Sequence, residues 1–365
     1  MAAVSDPRVE QYAALLVERS LDVRPDWQVM ILSTPLARPL VESVQRRIAA
    51  RDAYALLRID FANEQYPLAH AWSAAAPPEL VRRLAPIDLN AVESIDARIT
   101  INAPENVRDG SELEPERLRA VREAVKPYYK RSMADEIAWV GCHYPTQALA
   151  QAAGMTLPEY ENFLYGACLL DWDAEERRMQ GIAARFAGGE QVRIEGPDTD
   201  LTIGIAGREA LVDGGHVNMP GGEFFFAPVE DSAEGVITYN EFPAEYSGNE
   251  VTAIRLRFES GVVVEASAAS GEDFLLATLD TDEGARRIGE LGIGCNPGIQ
   301  RHTRSVLFDE KMDGTVHLAV GKAYAQAGGT NESLVHWDMV KDLRRGGRLS
   351  LDGKPMQENG VWLEP

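Results

Sequence analysis

Hydrophobic positions in the first 145 residues recur alternately with a helical period and in short unbroken runs. Asp6 followed by Pro7 is a helix start, and Val9, Tyr12 and Leu16 then fall on one face of the helix that follows. Downstream, the pattern predicts helices at 39–48 and 115–133 and strands at 28–32, 54–60, 97–103 and 136–142. Because strands that alternate with helices form sheets covered on both faces, we expect an α/β domain with a doubly wound, mostly parallel sheet.

The pattern changes after a helical stretch predicted at 158–186, which Gly188 and Gly189 close. From residue 191 onward, short strands are separated by Gly, Asp and Asn, and one helix, 271–291, interrupts them. The predicted strands are 191–195, 200–206, 223–227, 235–240, 254–258, 262–266, 305–308 and 315–320. The sequence therefore predicts an α/β domain at 1–187 and a mainly antiparallel α+β domain at 188–365.

Charge and composition narrow the function classes. The chain has 365 residues, and 57 acidic against 36 basic residues give a formal charge of −21, which repels nucleic-acid phosphates and anionic lipid headgroups. Neither nucleic acid nor a membrane surface is therefore expected as a partner. No apolar run reaches the roughly 18 residues that a membrane span requires, and the first residues lack the basic stretch that begins a secretion signal. The cysteines Cys142, Cys168 and Cys295 form no short-spaced pair, which favours a reducing, cytoplasmic location.

A histidine and a carboxylate share one face of a predicted strand near the end of the chain. His336 and Asp338 are two residues apart in SLVHWDMV, so both side chains project from the same side. His317 in GTVHLAVG has the same alternating setting 19 residues earlier. Two interpretations stay open at this point: a metal site, and a core histidine whose N–H a nearby carboxylate accepts. The other histidines lack such company, and we expect them to be surface or structural residues.

Three further carboxylates lie where a solvated acid is not expected. Glu223 precedes three phenylalanines, Glu290 lies among glycines in IGELGIGCNPGI, and Glu310 follows the apolar run SVLFD. Buried carboxylates without a partner are costly, and a bound cation relieves that cost. Together with the aspartate of the strand pair they supply four negative charges, which two divalent cations balance, with the two strand histidines as nitrogen ligands.

The ligand types indicate which metals and which chemistry to expect. Mixed carboxylate and imidazole ligands suit zinc, cobalt or manganese better than calcium, and the absence of cysteine ligands disfavours a closed structural zinc site. Two such ions roughly 3.5 to 4 Å apart can share a hydroxide and polarise a carbonyl. The sequence thus predicts a hydrolytic site with two metal ions.

From Gly196 to about Leu351 the chain resembles the M29 family of metallo-aminopeptidases. The segments that carry the resemblance are GPDTDLTI, NMPGGEFFFAPVEDSAEG, GEDFLLATLDTDEGARRIGELGIGCNPGIQ, LFDEKMDGTVHLAVGKAY and GGTNESLVHWDMV. The resemblance implies an enzyme that releases N-terminal amino acids from peptides with a hydroxide activated by two metal ions. It also implies zinc, cobalt, manganese or magnesium as the ions, and a homodimer.

The resemblance further assigns roles to single residues. It implies one set of metal ligands, in which Glu290 bridges the two ions: Glu223, Glu290, His317, His336 and Asp338. Tyr324 corresponds to the family's catalytic tyrosine, which would donate to the oxyanion. Glu310 corresponds to a further acid of the metal site, and either Glu290 or Glu310 is expected to pass a proton to the leaving amine. The chain is shorter than longer relatives between Tyr324 and His336, which we expect to alter one wall of the substrate cleft.

Two alternatives differ from this hypothesis in testable ways. A ring-cleaving dioxygenase of the same superfamily would hold one iron on two histidines and one carboxylate. The resemblance implies that such relatives lack Glu223 and His317 and carry a histidine in place of Glu290. A non-catalytic, metal-dependent peptide-binding protein would be expected to lose a ligand or Tyr324, and the sequence retains all of them.

Overall fold

The computed structural model of the chain describes residues 6–61, 70–108, 114–134 and 136–364. The α-helices among them are α1 (Pro7–Ala14), α2 (Arg38–Ala50), α3 (His70–Ala75), α4 (Pro78–Val81), α5 (Pro86–Ser94), α6 (Pro115–Met133), α7 (Gln147–Ala152), α8 (Leu157–Cys168), α9 (Trp172–Ala183), α10 (Glu272–Leu279) and α11 (Val306–Asp309). The strands are β1 (Gln28–Ser33), β2 (Tyr54–Ile59), β3 (Ala97–Asn102), β4 (Ala138–His143), β5 (Gln191–Gly196), β6 (Thr199–Gly204), β7 (Leu211–Asp213), β8 (Asn218–Met219), β9 (Glu223–Phe226), β10 (Glu234–Tyr239), β11 (Ala244–Tyr246), β12 (Asn249–Val251), β13 (Ile254–Glu259), β14 (Val262–Ser267), β15 (Ile288–Gly294), β16 (Thr315–Gly321), β17 (His336–Asp342), β18 (Arg348–Leu351), β19 (Lys354–Glu358) and β20 (Val361–Trp362).

The described residues form two compact units. One contains the described residues up to Leu169 together with Gly215–Pro220, and the other contains Leu170–Gly214 with the described residues from Gly221 onward. The boundary between residues 187 and 188 that the sequence indicates stays a prediction. No helix among the described residues combines the length and apolar composition that crossing a bilayer requires.

The first unit is built on a parallel sheet in the order β2-β1-β3-β4-β8. The predicted α/β alternation is therefore confirmed. The predicted start of α1 is confirmed as well, because the Asp6 carboxylate accepts the backbone N–H of Arg8 at 2.9 Å and Pro7 opens the helix. Beyond Ala14 the chain continues as a π-helical segment over Leu15–Ser20. The central strand β1 is apolar and almost entirely buried, as expected for a parallel sheet covered on both faces.

The second unit contains an eight-stranded antiparallel sheet in the order β14-β13-β10-β6-β5-β18-β19-β20, and a five-stranded antiparallel sheet in the order β17-β16-β15-β9-β7. The predicted antiparallel α+β architecture is confirmed. Alternate residues of the five-stranded sheet enter one large apolar core, among them Phe224, Leu291, Leu318 and Trp337. The residues between them project from the opposite face, because successive side chains of a strand alternate. That opposite face carries the candidate site.

Three predicted elements are wrong, and each error has a local cause. The helix expected at 158–186 is two helices, α8 and α9, because the Asp171 carboxylate accepts the N–H of Ala174 and starts a new helix there. The helix expected at 271–291 ends at Leu279 and is followed by β15, because the Asp282 carboxylate accepts the N–H of Ala285 and starts a separate 3-10 turn at Glu283–Arg286 between them. The strand expected at 305–308 is the short helix α11, whose preceding turn is held by Asp309, since its carboxylate accepts the N–H groups of Thr303 and Ser305.

Candidate metal centre

Strand register places predicted site residues side by side on the face of the five-stranded sheet that lies opposite the apolar core. Ala319 on β16 pairs with both Glu290 on β15 and Asp338 on β17, so the two carboxylates flank one strand. His317 pairs with Gly292 and His336 pairs with Gly321, so each imidazole lies beside a residue without a side chain. The acids and imidazoles that are far apart in the sequence therefore meet on neighbouring strands.

The ligand atoms form two groups that share one carboxylate. In what we call the inner group, atoms of Glu223, Glu290 and His317 lie within 4.8 Å of one another, and all three residues are buried. In the outer group, atoms of Glu290, His336 and Asp338 do the same, with His336 and Asp338 half-buried. The Oε1 atom of Glu290 lies 3.3 Å from Nε2 of His317, and its Oε2 atom lies 3.4 Å from Nε2 of His336. One carboxylate thus faces both groups with a different oxygen.

Glu310 enters the same cluster. Its carboxylate forms a third set with His317 and Asp338, again with the three ligand atoms within 4.8 Å of one another. All six carboxylates and imidazoles that the sequence singled out as ligands therefore lie in one connected cluster.

Backbone carbonyls fix the orientation of both imidazoles. Nδ1 of His317 lies 2.9 Å from the carbonyl oxygen of Glu310, and Nδ1 of His336 lies 2.9 Å from that of Lys322. A carbonyl only accepts, so each Nδ1 carries the proton and donates it. The other ring nitrogen, Nε2, consequently faces the carboxylates, and a backbone carbonyl that accepts from one ring nitrogen commonly fixes metal-binding histidines in this orientation.

The acids and imidazoles of the cluster shift one another's pKa values. Burial raises the pKa of Glu310 to about 8 and also raises that of Asp338. Burial acts in the same direction on Glu290, but hydrogen bonds from His317 and His336 outweigh it and lower its pKa to about 2. Burial alone would lower the pKa of the two histidines, yet the neighbouring carboxylates raise both to about 10. A dense set of buried charges of this kind is typical of functional sites.

Two buried oxygen atoms of the cluster accept no hydrogen bond among the described residues. They are Oε2 of Glu223 and Oδ1 of Asp338, one in each group. Leaving a buried carboxylate oxygen without a hydrogen bond is costly, and a coordinated cation removes that cost. The donor set and the two oxygens that accept no hydrogen bond therefore fit a pair of divalent metal ions.

Two charged residues of this cluster were missed by sequence reasoning. Lys311 is fully buried, and its Nζ atom contacts Glu310, lies 2.9 Å from Oε1 of Glu223 and 3.8 Å from Oδ2 of Asp213. Burial alone would lower the pKa of this ammonium group, but the three carboxylates raise it well above the ordinary value. Asp213 on β7 pairs with Glu223 on β9 and so reaches the same point. A lysine that follows an acid reads as a solvated surface residue, and nothing in the segment FDEKMDG marks it as buried.

Tyr324 lies beside the outer group. It follows β16 and precedes a short 3-10 turn at Ala325–Ala327, and its ring meets the imidazole of His336 edge to face at 5.2 Å. The ring also packs against Phe225, with the ring centres 5.5 Å apart. Burial, and then the carboxylates Glu290 and Asp338, raise its pKa well above the ordinary value. Its hydroxyl is therefore a neutral hydrogen-bond donor at physiological pH.

Two carboxylates anchor the segment 325–335 that joins Tyr324 to His336. Glu230 accepts the backbone N–H of Thr330 at 2.7 Å and its hydroxyl at 2.6 Å. Asp282 accepts the hydroxyl of Ser333 and the backbone N–H of Leu334, both at 2.8 Å. The short connection is thus held at two points.

The remaining histidines lie outside this cluster in the part of the chain that the structure describes. His302 contacts the Asp309 carboxylate at 3.1 Å and stacks on Phe242, and His143 bonds to Asn102 at 2.8 Å. His216 lies in the bend after β7. The side chain of His70 is outside the described residues.

Comparison with solved structures identifies the same fold in two enzymes. The wild-type AmpT of Thermus thermophilus superposes with a TM-score of 0.83 at 25% identity, over 98% of this chain and 99% of that one. A 2,5-dihydroxypyridine dioxygenase of Pseudomonas putida superposes over 100% of this chain and 99% of its own, with a TM-score of 0.60 at 16% identity. At that identity the second likeness establishes the fold alone.

Sequence comparison is more specific. The chain is 31% identical to an aminopeptidase T of Thermus aquaticus, over 69% of this chain and 72% of the relative. It is 26% identical to aminopeptidase 2 of Geobacillus stearothermophilus, over 98% of both chains. The family model described as thermophilic metalloprotease (M29) matches residues 5–362. The chain therefore belongs to the M29 metallopeptidase family, and it is a metal-dependent hydrolase.

Proposed function

We propose that this protein is an aminopeptidase that removes N-terminal amino acids from peptides at a centre of two divalent metal ions. The observation that carries the proposal is the position of Glu290, whose two carboxylate oxygens face His317 and His336 separately. A single carboxylate shared between two groups of ligands is what a pair of ions close together requires. The relatives named aminopeptidase support the choice of peptide substrates.

The residues that would hold the ions are those of the two groups, with Glu310 as an additional acid beside them. Zinc, cobalt, manganese or magnesium bound there would lower the pKa of a water molecule and polarise the scissile carbonyl. A carboxylate oxygen of the cluster that the ions leave free can accept a charge-assisted hydrogen bond from the ammonium group of a peptide's first residue, which a blocked N-terminus lacks.

We assign stabilisation of the reacting carbonyl to Tyr324. Its hydroxyl is protonated at physiological pH and lies on a ring packed against His336, beside the outer group. When charge develops on the carbonyl oxygen, this O–H can donate to it. Donors of this kind contribute roughly 3 to 4 kcal/mol to the stabilisation of a transition state.

Proton transfer to the leaving amine requires a carboxylate next to the reacting atoms. Glu290 and Glu310 are the candidates, because a carboxylate oxygen of each lies within 4.8 Å of a ring nitrogen of His317. Glu310 also orients His317 through its backbone carbonyl. We assign the transfer to one of these two carboxylates.

Location and assembly form part of the same proposal. The three cysteines are free thiols and all are buried, which agrees with a cytoplasmic enzyme that acts on intracellular peptides. A homodimer is proposed on the resemblance to the family alone.

A screen of substrates and metals tests the proposal. A chelator removes bound metal from the protein, which is then reconstituted in turn with cobalt, zinc, manganese and magnesium. Hydrolysis of aminoacyl-nitroanilides is compared with hydrolysis of their N-acetylated forms. We expect hydrolysis of the free-amine substrates only, abolished in Glu290→Gln. The matched control is Glu358→Gln, which removes a surface carboxylate paired with Arg348 and should leave turnover unchanged.

Three other results would contradict part of this proposal or favour an alternative. Normal turnover by Glu290→Gln would contradict the assignment of this carboxylate. Failure to hydrolyse any aminoacyl substrate, together with one bound iron and oxygen uptake on a dihydroxypyridine, would favour the dioxygenase alternative that the shared fold leaves open. Peptide binding without hydrolysis would favour a binding protein.

A further inference from the structure

A buried lysine occupies one side of the cluster. Lys311 is fully buried, and its Nζ atom contacts Glu310 and lies 2.9 Å from Oε1 of Glu223. The backbone brings it there because Gly294 has no side chain: a Cβ at that position would overlap the carbonyl of Met312, which follows the lysine. The backbone N–H of Asn296 also donates to the carbonyl of Lys311 at 2.9 Å. The ammonium group is thus built into the centre rather than placed there by a flexible surface side chain.

The contacts of this lysine are unequal between the two groups of ligands. It pairs with Glu223, a member of the inner group only, and with Glu310 and Asp213. Among the described residues, it forms no ion pair with Glu290 or Asp338, the two carboxylates of the outer group. The outer carboxylates instead face the imidazoles. The positive charge of Lys311 should therefore repel a cation in the inner group more strongly than a cation in the outer group.

The charge balance of the whole cluster agrees with a permanent role for this ammonium group. Its carboxylates are those of Asp213, Glu223, Glu290, Glu310 and Asp338, and its fixed cation is that of Lys311. When metal is bound and both imidazoles are neutral ligands, five ionised carboxylates and one ammonium group leave four negative charges, the number that two divalent ions balance. The lysine adds to the pair of ions and does not replace one of them.

A metal ion in the inner group must share Glu223 with the ammonium group. One oxygen of that carboxylate already accepts from Nζ, which leaves Oε2 for an ion, and the like charges of the ammonium group and the ion repel each other. Among the described residues, no ammonium group forms an ion pair with Glu290 or Asp338, so this repulsion favours the outer group for the tighter ion. The side chain of His336 is 28% exposed, so an ion can reach the outer group from solvent.

We propose that Lys311 makes the two metal sites unequal, so that the outer group binds its ion first and tightly and the inner group binds the second ion more weakly. This inference rests on the proposed two-metal centre. At limiting metal, the protein then holds one ion on Glu290, His336 and Asp338. A like charge within a few ångströms changes the affinity for a cation by more than about tenfold at the effective dielectric of a protein interior.

The order of binding can be read from single-site variants of the full chain. The metal-free protein is titrated with cobalt(II) and followed by calorimetry and by visible absorption. We expect the wild-type protein to bind two ions in two steps that differ by more than about tenfold. Glu223→Gln should lose the weaker step, and Asp338→Asn should lose the tighter one. The reverse assignment would overturn the proposal.

Replacement of the lysine then separates its charge from a merely structural role. In Lys311→Met, the gap between the two steps should narrow by about tenfold or more, because the inner ion no longer meets an ammonium group. A structural role alone would weaken the inner step and widen the gap. The matched control is Lys341→Met, which removes another fully buried lysine, on the opposite face of β17, whose ion pair among the described residues is with Glu241. It should leave the gap unchanged.

The outcomes distinguish this inference from the proposed function. Two steps of equal affinity in a protein that hydrolyses peptides would overturn the inference and leave the function intact. An unchanged or wider gap in Lys311→Met would do the same. Binding of fewer than two ions would overturn both. If Lys311→Met does not fold, the assignment of steps in the Glu223→Gln and Asp338→Asn variants decides the matter alone.

Discussion

Gly292 on β15 leaves the space that the imidazole of His317 on β16 occupies. A Cβ atom at position 292 would overlap Cε1 and Nε2 of that ring, and Nε2 is the nitrogen that faces Glu223 and Glu290. The absence of a side chain at 292 is therefore a requirement of the inner group, and it explains a glycine in the middle of a buried strand.

The first prediction concerns this glycine. Gly292→Ala should displace the His317 ring and weaken metal binding by about 10- to 100-fold, the usual cost of disturbing the support of a ligand. Cobalt titration of the metal-free protein measures the change. Gly181→Ala is the control, because Gly181 lies in α9 with nothing within 4 Å of an added Cβ, and it should leave metal affinity as it is. Equal affinities in the two variants would contradict the account of position 292.

The second prediction concerns the hydroxyl of Tyr324. Tyr324→Phe keeps the ring against His336 and Phe225 and removes only the donor. We expect kcat to fall by about 100- to 1,000-fold, the range for loss of one oxyanion donor, with metal stoichiometry unchanged. Steady-state kinetics and metal analysis check both parts. Tyr246→Phe, a half-buried tyrosine stacked on Trp337 outside the cluster, should keep its activity. A Tyr324→Phe enzyme of ordinary kcat would remove Tyr324 from the mechanism.

The third prediction concerns the anchors of segment 325–335. Glu230→Gln weakens the two hydrogen bonds from Thr330 and the ion pair with Arg208, so the segment that follows Tyr324 should shift and move this residue with it. We expect kcat to fall by up to about 100-fold while both metal-binding steps persist, because small misplacements of a catalytic group are costly. Glu234→Gln is the control, since Glu234 also accepts a backbone N–H, from Ser260 on another turn. Equal kcat values for the two variants would mean that the anchor does not position the tyrosine.

The fourth prediction concerns the protons that the imidazoles release when metal binds. Neighbouring carboxylates raise the pKa of His317 and His336 to about 10, so near pH 7 both rings carry a proton on Nε2 in the metal-free protein. A metal ligand must lose that proton, so metal binding should release about two protons from these rings and become tighter as pH rises toward 10. Calorimetry of zinc binding near pH 7 in two buffers of different ionisation enthalpy measures the release. The same heat in both buffers would show that the rings are already neutral.

The alternation of polar and apolar residues correctly predicts which side chains share a face where a strand has one polar and one apolar face. In β17, alternation correctly placed His336 and Asp338 together on one face, while Trp337 and Met339 between them enter the core. The same reasoning failed for β15, because its glycines at 289, 292 and 294 are unusual in a strand. They are needed there for the close approach of Lys322, His317 and Met312, which are contacts across the sheet that a single sequence does not display.

Sequence reasoning missed two charged residues of the cluster for a related reason. Lys311 and Asp213 owe their burial to pairing between β7 and β9 and to the packing of the segment after α11 against β15. Hydropathy alone assigns both to the surface. The short run before Glu310 looked like a strand because it is apolar, but the hydrogen bonds that Asp309 accepts turn it into a helical turn.

Whether two divalent ions share the carboxylate of Glu290 can be measured in crystals of the protein grown with zinc, by anomalous scattering at the zinc edge. We expect two anomalous peaks roughly 3.5 to 4 Å apart. One should lie about 2.0 to 2.1 Å from Nε2 of His317 and the other the same distance from Nε2 of His336, with Glu290 between them. A single peak, or peaks away from Glu290, would show that no pair of ions shares this carboxylate.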